Sequence, residues 1–315
     1  MKPLVEIVLA THNGEKYLEE QLDSLLGQSY NNILITIRDD NSSDNTRNIL
    51  KNYKSLYPKT IRLFWNDSEA EGPIENFSTL ISIAKASYIM LCDQDDVWFP
   101  DKVSVSAKRI FELEKKYGKN YPLLVHTDLE VVDSNLDKKF ESFLDFSKLN
   151  PENVRLNNLL VQNVITGCTL IINQSLRDNC IPIPKEAAMH DWWISLVAMV
   201  IGKIDFIPSQ TIMYRQHVKN ILGAKPGKLT ITTFIKKTSQ ILFTRKGIND
   251  WDMYFKQAKA LINSIGEKIP DEKKLILLEF VQLRNHNFLL RRYKLVTKGY
   301  LKQDLIKSLG LLIWI

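Results

Sequence analysis

Residues 88 to 102, YIMLCDQDDVWFPDK, carry an apolar run that stops at three carboxylates, Asp93, Asp95 and Asp96, within four positions. Like charges this close repel and raise one another's pKa, so the cluster has no structural return unless a cation sits among them. Carboxylate oxygens are hard ligands that suit Mg2+ or Mn2+, and a cation so held can hold phosphate. Two more polar stretches, THNG (11–14) and RDDNSSD (38–44), also follow apolar runs. Neither GxxxxGK[ST] nor GxGxxG follows the first of these runs, so a diphosphate would be held by the metal and not by a glycine-rich loop. Further along, MHDWWISLVAMVIG places Asp191 at the head of an apolar helical run, where a carboxylate can cap the helix. Trp192 and Trp193 beside it have two readings, a wall against sugar C–H faces or core. His217, in YRQH, is a lone histidine, either a site residue or a surface one.

The elements that position these residues are legible as an alternation. LVEIVLAT, NILITIRDD, TIRLFWND and SYIMLCD read as buried strands, and YLEEQLDSLLGQ, NSSDNTRNILKNYKSLY and PIENFSTLISIAKA read as the helices between them. Ser42 and Asp44 supply capping side chains for the second helix, and proline stands in the first turn of the third. Asp101 and Lys102 read as a solvated helix start. Strands alternating with helices predict a doubly covered parallel sheet whose ligands gather at the carboxyl ends of the strands. THNG, RDDNSSD and DQDD all fall at such ends.

In combination, VLATHNGEKYLEEQLDSLLGQSY, IRDDNSSDNT, LCDQDDVWFPDK, HDWW and YRQH resemble the family 2 inverting glycosyltransferases over roughly residues 3 to 224. The resemblance implies a GT-A fold, α/β with a Rossmann-like mixed sheet. Within that family the motifs are most similar to bacterial rhamnosyltransferases that build cell-surface polysaccharides from dTDP-rhamnose. It implies that Thr11, His12, Asp40 and Asp93 attend the nucleotide-sugar donor, with Asp40 accepting from the pyrimidine N3–H and His12 packing on the base in place of the commoner tyrosine. Asp95 would be the direct metal ligand and Asp93 would lie nearer the ribose or a metal-bound water, leaving Asp96 without a role. His217 would complete the metal shell or touch the diphosphate. Asp191 matches the general base that takes the acceptor hydroxyl's proton, with Trp192 and Trp193 beside the acceptor.

Composition sets the remaining bounds. With 44% hydrophobic and 25% charged residues over 315 positions, the chain is an ordinary globular protein able to bury a large core. Three scattered cysteines suit a reducing compartment, the N-terminus lacks a signal-peptide profile, and nowhere do about 18 apolar residues run together. A cytoplasmic protein, peripheral at the inner face of the membrane, is expected. The net charge of +6 divides unevenly: from Lys225 onward there are 18 Lys and Arg against 7 Asp and Glu. The expected organisation is therefore a catalytic domain over 1–224 and a basic, mainly helical appendage over 225–315. The appendage would either lie on an anionic membrane, where a lipid-linked oligosaccharide acceptor would be presented, or pack on the catalytic domain. It carries no zinc-finger, RRM or basic-zipper signature, so nucleic acid is not an expected partner. Two rival functions are a sugar nucleotidyltransferase, which lacks its glycine-rich basic loop here, and a non-catalytic carbohydrate-binding protein, which would not need DQDD and HDWW together.

Overall fold

A computed structural model describes residues 2–216 and 246–313. The boundary expected at 224/225, His217 and most of the stretch LTITTFIKKTSQILFTRKG lie outside the described residues. The strands are β1 (Val5–Thr11), β2 (Ile33–Asp40), β3 (Ile61–Asn66), β4 (Tyr88–Cys92), β5 (Val97–Trp98), β6 (Leu123–Val132), β7 (Lys138–Phe140), β8 (Leu170–Asn173) and β9 (Lys203–Arg215). Between them run α1 (Leu18–Leu26), α2 (Thr46–Leu56), α3 (Pro73–Ile83), α4 (Lys102–Tyr117), α5 (Phe143–Ser147), α6 (Leu156–Leu159), α7 (Gln174–Cys180) and α8 (His190–Ile201). Four helices follow: α9 (Lys246–Ile265), α10 (Asp271–Gln282), α11 (Phe288–Thr297) and α12 (Leu305–Ile313).

The first four strands run parallel in the order β3-β2-β1-β4, as the alternation predicts. Beyond β4 the sheet becomes mixed, because β8 pairs antiparallel with both β4 and β6 before β9 joins β6 in parallel. The short β5 then folds back antiparallel on β9, which returns the residues after the acidic cluster to the sheet. Period-two alternation explains the double covering: Ile89 and Leu91 of β4 join one core with α3 and α8, while Met90 and Cys92 join the other with α1, α2 and α4.

The four last helices extend the first of these cores. Trp251, Tyr254, Leu261, Phe280, Leu295, Tyr300 and Leu311 pack in one cluster with Leu159, Trp192 and Trp193. Polar ties reinforce the seam: Gln257 Oε1 accepts from the Ala188 N–H at 2.7 Å, and Lys273 Nζ donates to the Met199 and Val200 carbonyls at the end of α8. So the packing alternative holds for the inner faces of these helices. None of the described helices is long and apolar enough to cross a membrane.

Candidate active site

The parallel register brings Thr11, Asp39 and Asp40 side by side at the ends of β1 and β2, with the loop Asp93–Asp96 following β4 next to them. Adjacent acids at the end of β2 have separate tasks. Asp39 is fully buried and accepts from the Thr11 hydroxyl, the Ser42 N–H and hydroxyl, and Arg47 Nε at 2.7 Å. It is a clamp that orders the loops on either side. Thr11, 1% exposed, therefore spends its side-chain hydroxyl on Asp39. Asp40 accepts from Asn66 Nδ2 and from the Glu71 and Gly72 N–H groups, so it anchors the loop before α3. Burial pushes its carboxyl up, but these donors and the Arg38 guanidinium outweigh that and hold it below the usual carboxylate range.

His12 is exposed, with Nδ1 2.7 Å from the Asp40 carbonyl. Because a carbonyl only accepts, Nδ1 carries the proton and Nε2 faces Asn13 Nδ2 as acceptor. Asn13 takes the left-handed conformation, φ 49°, that this tight turn requires. Gln94, which the sequence reading passed over, joins the two loops: its Oε1 accepts from the His12 N–H at 2.8 Å and its Nε2 donates to the His12 carbonyl at 3.0 Å. A Cβ on Gly14 would collide with this amide, so the glycine of THNG leaves room for the Gln94 bridge. The N-cap of α2 is Asn45, which corrects the expected capping by Ser42 and Asp44: Asp44 accepts from the Thr46 N–H at 3.0 Å from one position further out and ties down Glu15, while the Ser42 hydroxyl serves Asp39 and the Asn13 N–H.

Within DQDD, burial and then the neighbouring charges of Asp95 and Asp191 push Asp93 up to about 7. Asp96 is fully buried, and burial followed by Asp95 and Asp93 raises it well above a normal carboxyl. One of its oxygens accepts from the Arg215 N–H at 3.1 Å, and the other is buried without a hydrogen-bond partner among the described residues. Asp93, Asp96 and Cys168 place potential ligand atoms within 4.8 Å of one another. The carboxylates of this set, the orphaned Asp96 oxygen and the mutual repulsion fit a hard divalent cation. Neither Cys168, from the 310 turn before β8, nor Asp96 is assigned to the site by the sequence; the register of β8 against β4 and β6 brings Cys168 there.

Lys102 corrects another expectation. It is fully buried, not solvated, with Nζ 3.4 Å from the Thr211 hydroxyl and 4.6 Å from the Trp98 ring centre. Burial pushes its amine down to about 8, opposed by Cys168, Cys92 and Asp96. A buried amine so placed offsets part of the charge on Asp96.

Asp191 lies in the first turn of α8, after Met189, and its bond to Gly167 sets it beside Cys168, the residue that stands with Asp93 and Asp96. Its Oδ2 accepts from the Gly167 N–H at 2.9 Å and its Oδ1 from the Trp192 N–H at 2.6 Å. Burial raises it to about 6, against the pull of these bonds and of Asn163. Gly167 allows a close approach, since a Cβ there would stand 3.0 Å from His190 Nε2 and 3.3 Å from Asp191 Cβ and would press both side chains back. A carboxylate raised to about 6 is mostly ionised at neutral pH, and held from behind by N–H donors it can accept a proton in front. The tryptophans do not share this crevice. Trp193 is fully buried with its N–H on the Cys180 carbonyl, and Trp192 is 9% exposed with its N–H on the Leu159 carbonyl and its ring against Tyr254. Both are core residues, which corrects their assignment to the substrate; the α8 face they occupy is the one covered by α6, α7 and α9.

Residues 6–177 match the Glycosyl transferase family 2 domain, and the chain belongs to that family. It is similar to the dTDP-rhamnosyl transferase RfbG of Shigella flexneri, at 27% identity over 82% of this chain and 85% of that protein. An uncharacterized glycosyltransferase of Rickettsia bellii is 31% identical over 88% of this chain, which spans only 41% of that protein's length. Two solved structures share the GT-A fold at 16% identity. S. aureus TarS 1–349 has a TM-score of 0.55, with 99% of this chain and 90% of that one covered. The mannosyltransferase PcManGT from Pyrobaculum calidifontis, in complex with GDP-Man and Mn2+, has a TM-score of 0.54, covering 95% and 74%.

Proposed function

We propose that this glycosyltransferase is metal-dependent and inverting, and moves rhamnose from dTDP-rhamnose to a saccharide acceptor in cell-surface polysaccharide synthesis. The observation that carries the reading is that Asp191, backed by the Gly167 and Trp192 N–H groups, is tied through Gly167 to Cys168, which stands with the carboxylates of Asp93 and Asp96 in the DQDD group. Mg2+ or Mn2+ held by Asp95, the ligand that the family resemblance implies, together with the neighbouring carboxylates of Asp93 and Asp96, would neutralise charge developing on the departing nucleoside diphosphate. Asp191 takes the proton of the attacking acceptor hydroxyl, and a single displacement inverts the anomeric centre without a covalent enzyme intermediate. Asp40 and His12 border the nucleobase. Asp40 does so as a carboxylate kept ionised by Asn66 and the loop N–H groups. The similarity to the Shigella dTDP-rhamnosyl transferase supports the donor. The test is a donor screen with dTDP-rhamnose, UDP-sugars and GDP-sugars, measuring nucleoside diphosphate release with Mn2+ present. Release of dTDP is expected; pyrophosphate release would indicate a nucleotidyltransferase, and turnover of UDP-glucose with none of dTDP-rhamnose would refute the donor.

We further propose that the chain acts at an anionic membrane surface, where a lipid-linked acceptor would be held. Supporting this, Leu289, Tyr293 and Val296, at 76%, 66% and 52% exposure, form an outward i, i+4, i+7 stripe on α11. Residues 282–315 carry seven Lys and Arg against one acid, Asp304. Each basic residue near an anionic leaflet contributes about 1 kcal/mol. Co-sedimentation with phosphatidylglycerol vesicles at low salt should be lost in Leu289→Glu/Tyr293→Glu; retention by the variant, or no binding by the unaltered chain, sinks the proposal.

A further inference from the structure

The geometry points to Arg215 as a positioning residue for the metal-bearing loop, acting through the main chain of Asp95. This rests on the metal reading above and goes beyond it, because Arg215 touches neither donor nor acceptor in that reading. Its side chain is 1% exposed, and a guanidinium so deep in a protein is stable only when its donors are matched. They are matched from three separate elements. Nε donates to the Asp95 carbonyl at 2.9 Å, Nη1 donates to the Ser134 carbonyl in the turn between β6 and β7 at 2.7 Å, and Nη2 pairs with Glu20 on α1. The guanidinium also lies 4.4 Å from the centre of the Tyr17 ring.

The register explains why this residue reaches that loop. β5 runs antiparallel to β9 with Val97 opposite Met213 and Trp98 opposite Ile212, so the same register carried two positions outward, past Asp96 and Tyr214, sets Asp95 against Arg215. The main chain completes the link, since the Arg215 N–H donates to Asp96 Oδ1 at 3.1 Å. One residue therefore fixes Asp95 by its carbonyl and Asp96 by its carboxylate, and spans from them to α1 and the β6–β7 turn. Repulsion among Asp93, Asp95 and Asp96 tends to spread the loop, and the fork opposes that spread from behind. Lysine would keep the charge but not the planar fork that serves three directions together.

The test measures Mn2+ binding directly, by the free-ion electron paramagnetic resonance signal with dTDP present, alongside the melting temperature. Partners that orient metal ligands are worth about 10–100-fold in metal affinity. Arg215→Lys should weaken Mn2+ binding by that factor, with turnover largely restored at saturating Mn2+. Glu20→Ala removes one outer anchor from a half-exposed residue and should weaken Mn2+ by at least about threefold without threatening the fold. Should Arg215→Lys fail to fold, Glu20→Ala decides alone. Unchanged Mn2+ affinity in either variant, with only a lowered melting temperature, reduces Arg215 to packing and overturns the inference. Asp95→Asn separates the two layers: if it binds Mn2+ normally, the metal reading itself fails, whereas its loss beside unaltered Arg215→Lys affinity removes only the positioning role.

Discussion

Asp191→Asn isolates proton transfer from everything else Asp191 does. The carboxylate accepts through both oxygens, Oδ2 from Gly167 and Oδ1 from Trp192. Asparagine retains one acceptor and turns the other into an amide donor facing an N–H, and an unsatisfied buried group of this kind costs about 1–3 kcal/mol. An opposing effect comes from ionisation. Because burial raises Asp191 to about 6, above its unfolded value, its favourable contribution is full below the unfolded pKa and is lost as pH rises through 6. At neutral pH the ionised side chain is thus a burden that asparagine removes, and the melting temperature should change little. Catalysis has no such compensation. Loss of a positioned base costs about 10²–10⁴ in rate, so turnover should fall by at least about 10² with donor affinity nearly unchanged. In the unaltered enzyme kcat/KM should fall about tenfold per pH unit below 6, and that limb should vanish in the variant. Initial rates of nucleoside diphosphate release between pH 5 and 8, with donor affinity from equilibrium titration, read both. Turnover within about tenfold of normal, or an acid limb that persists, would refute the base assignment.

Trp193→Ala should destabilise the fold by about 3–5 kcal/mol in urea unfolding, since it empties a fully buried site and frees the Cys180 carbonyl; loss of acceptor affinity without loss of stability would return the residue to the substrate. Asp40→Asn should weaken donor binding about tenfold while leaving kcat within about threefold, because it loosens the loop held through Glu71 and Gly72; a donor titration reads it, and unchanged affinity refutes it. Lys102 has a depressed pKa near 8, so its stabilising contribution is present above its unfolded pKa and lost as pH falls through 8. Lys102→Met should therefore lack the part of the rise in melting temperature that the unaltered chain gains between pH 8 and 10; identical pH profiles contradict this.

Strands β1 to β4 and the three helices between them were legible because each buried strand is a continuous apolar run ended by polar loop residues, and each helix keeps its own period. That is local information. The mixed half of the sheet follows from the family resemblance but not from the local pattern, because β8, β6 and β9 find their neighbours through contacts distant in sequence. The same division runs through the site. DQDD announced itself by a repulsion that no turn needs, whereas the split of labour between Asp39 and Asp40 depends on which side of β2 each faces relative to Arg47 and Asn66. Lys102 looked like a solvated helix start because sequence shows charge and not depth; only the return of β9 beside β5 covers it and sets Thr211 against it. Trp192 and Trp193 misled in the opposite direction, since an aromatic pair beside a catalytic-type carboxylate looks the same whether it faces a sugar or α7 and α9. The appendage follows this logic too. Its basic, apolar composition fits a membrane face and a packing face equally well, and the helices divide the two: Leu295 is wholly buried within the core while Leu289 and Tyr293 on the same helix point outward. Deleting the appendage would therefore strip the cover from Leu159 and Trp192 as well as removing the outward stripe, and only substitutions on that stripe can separate attachment from folding.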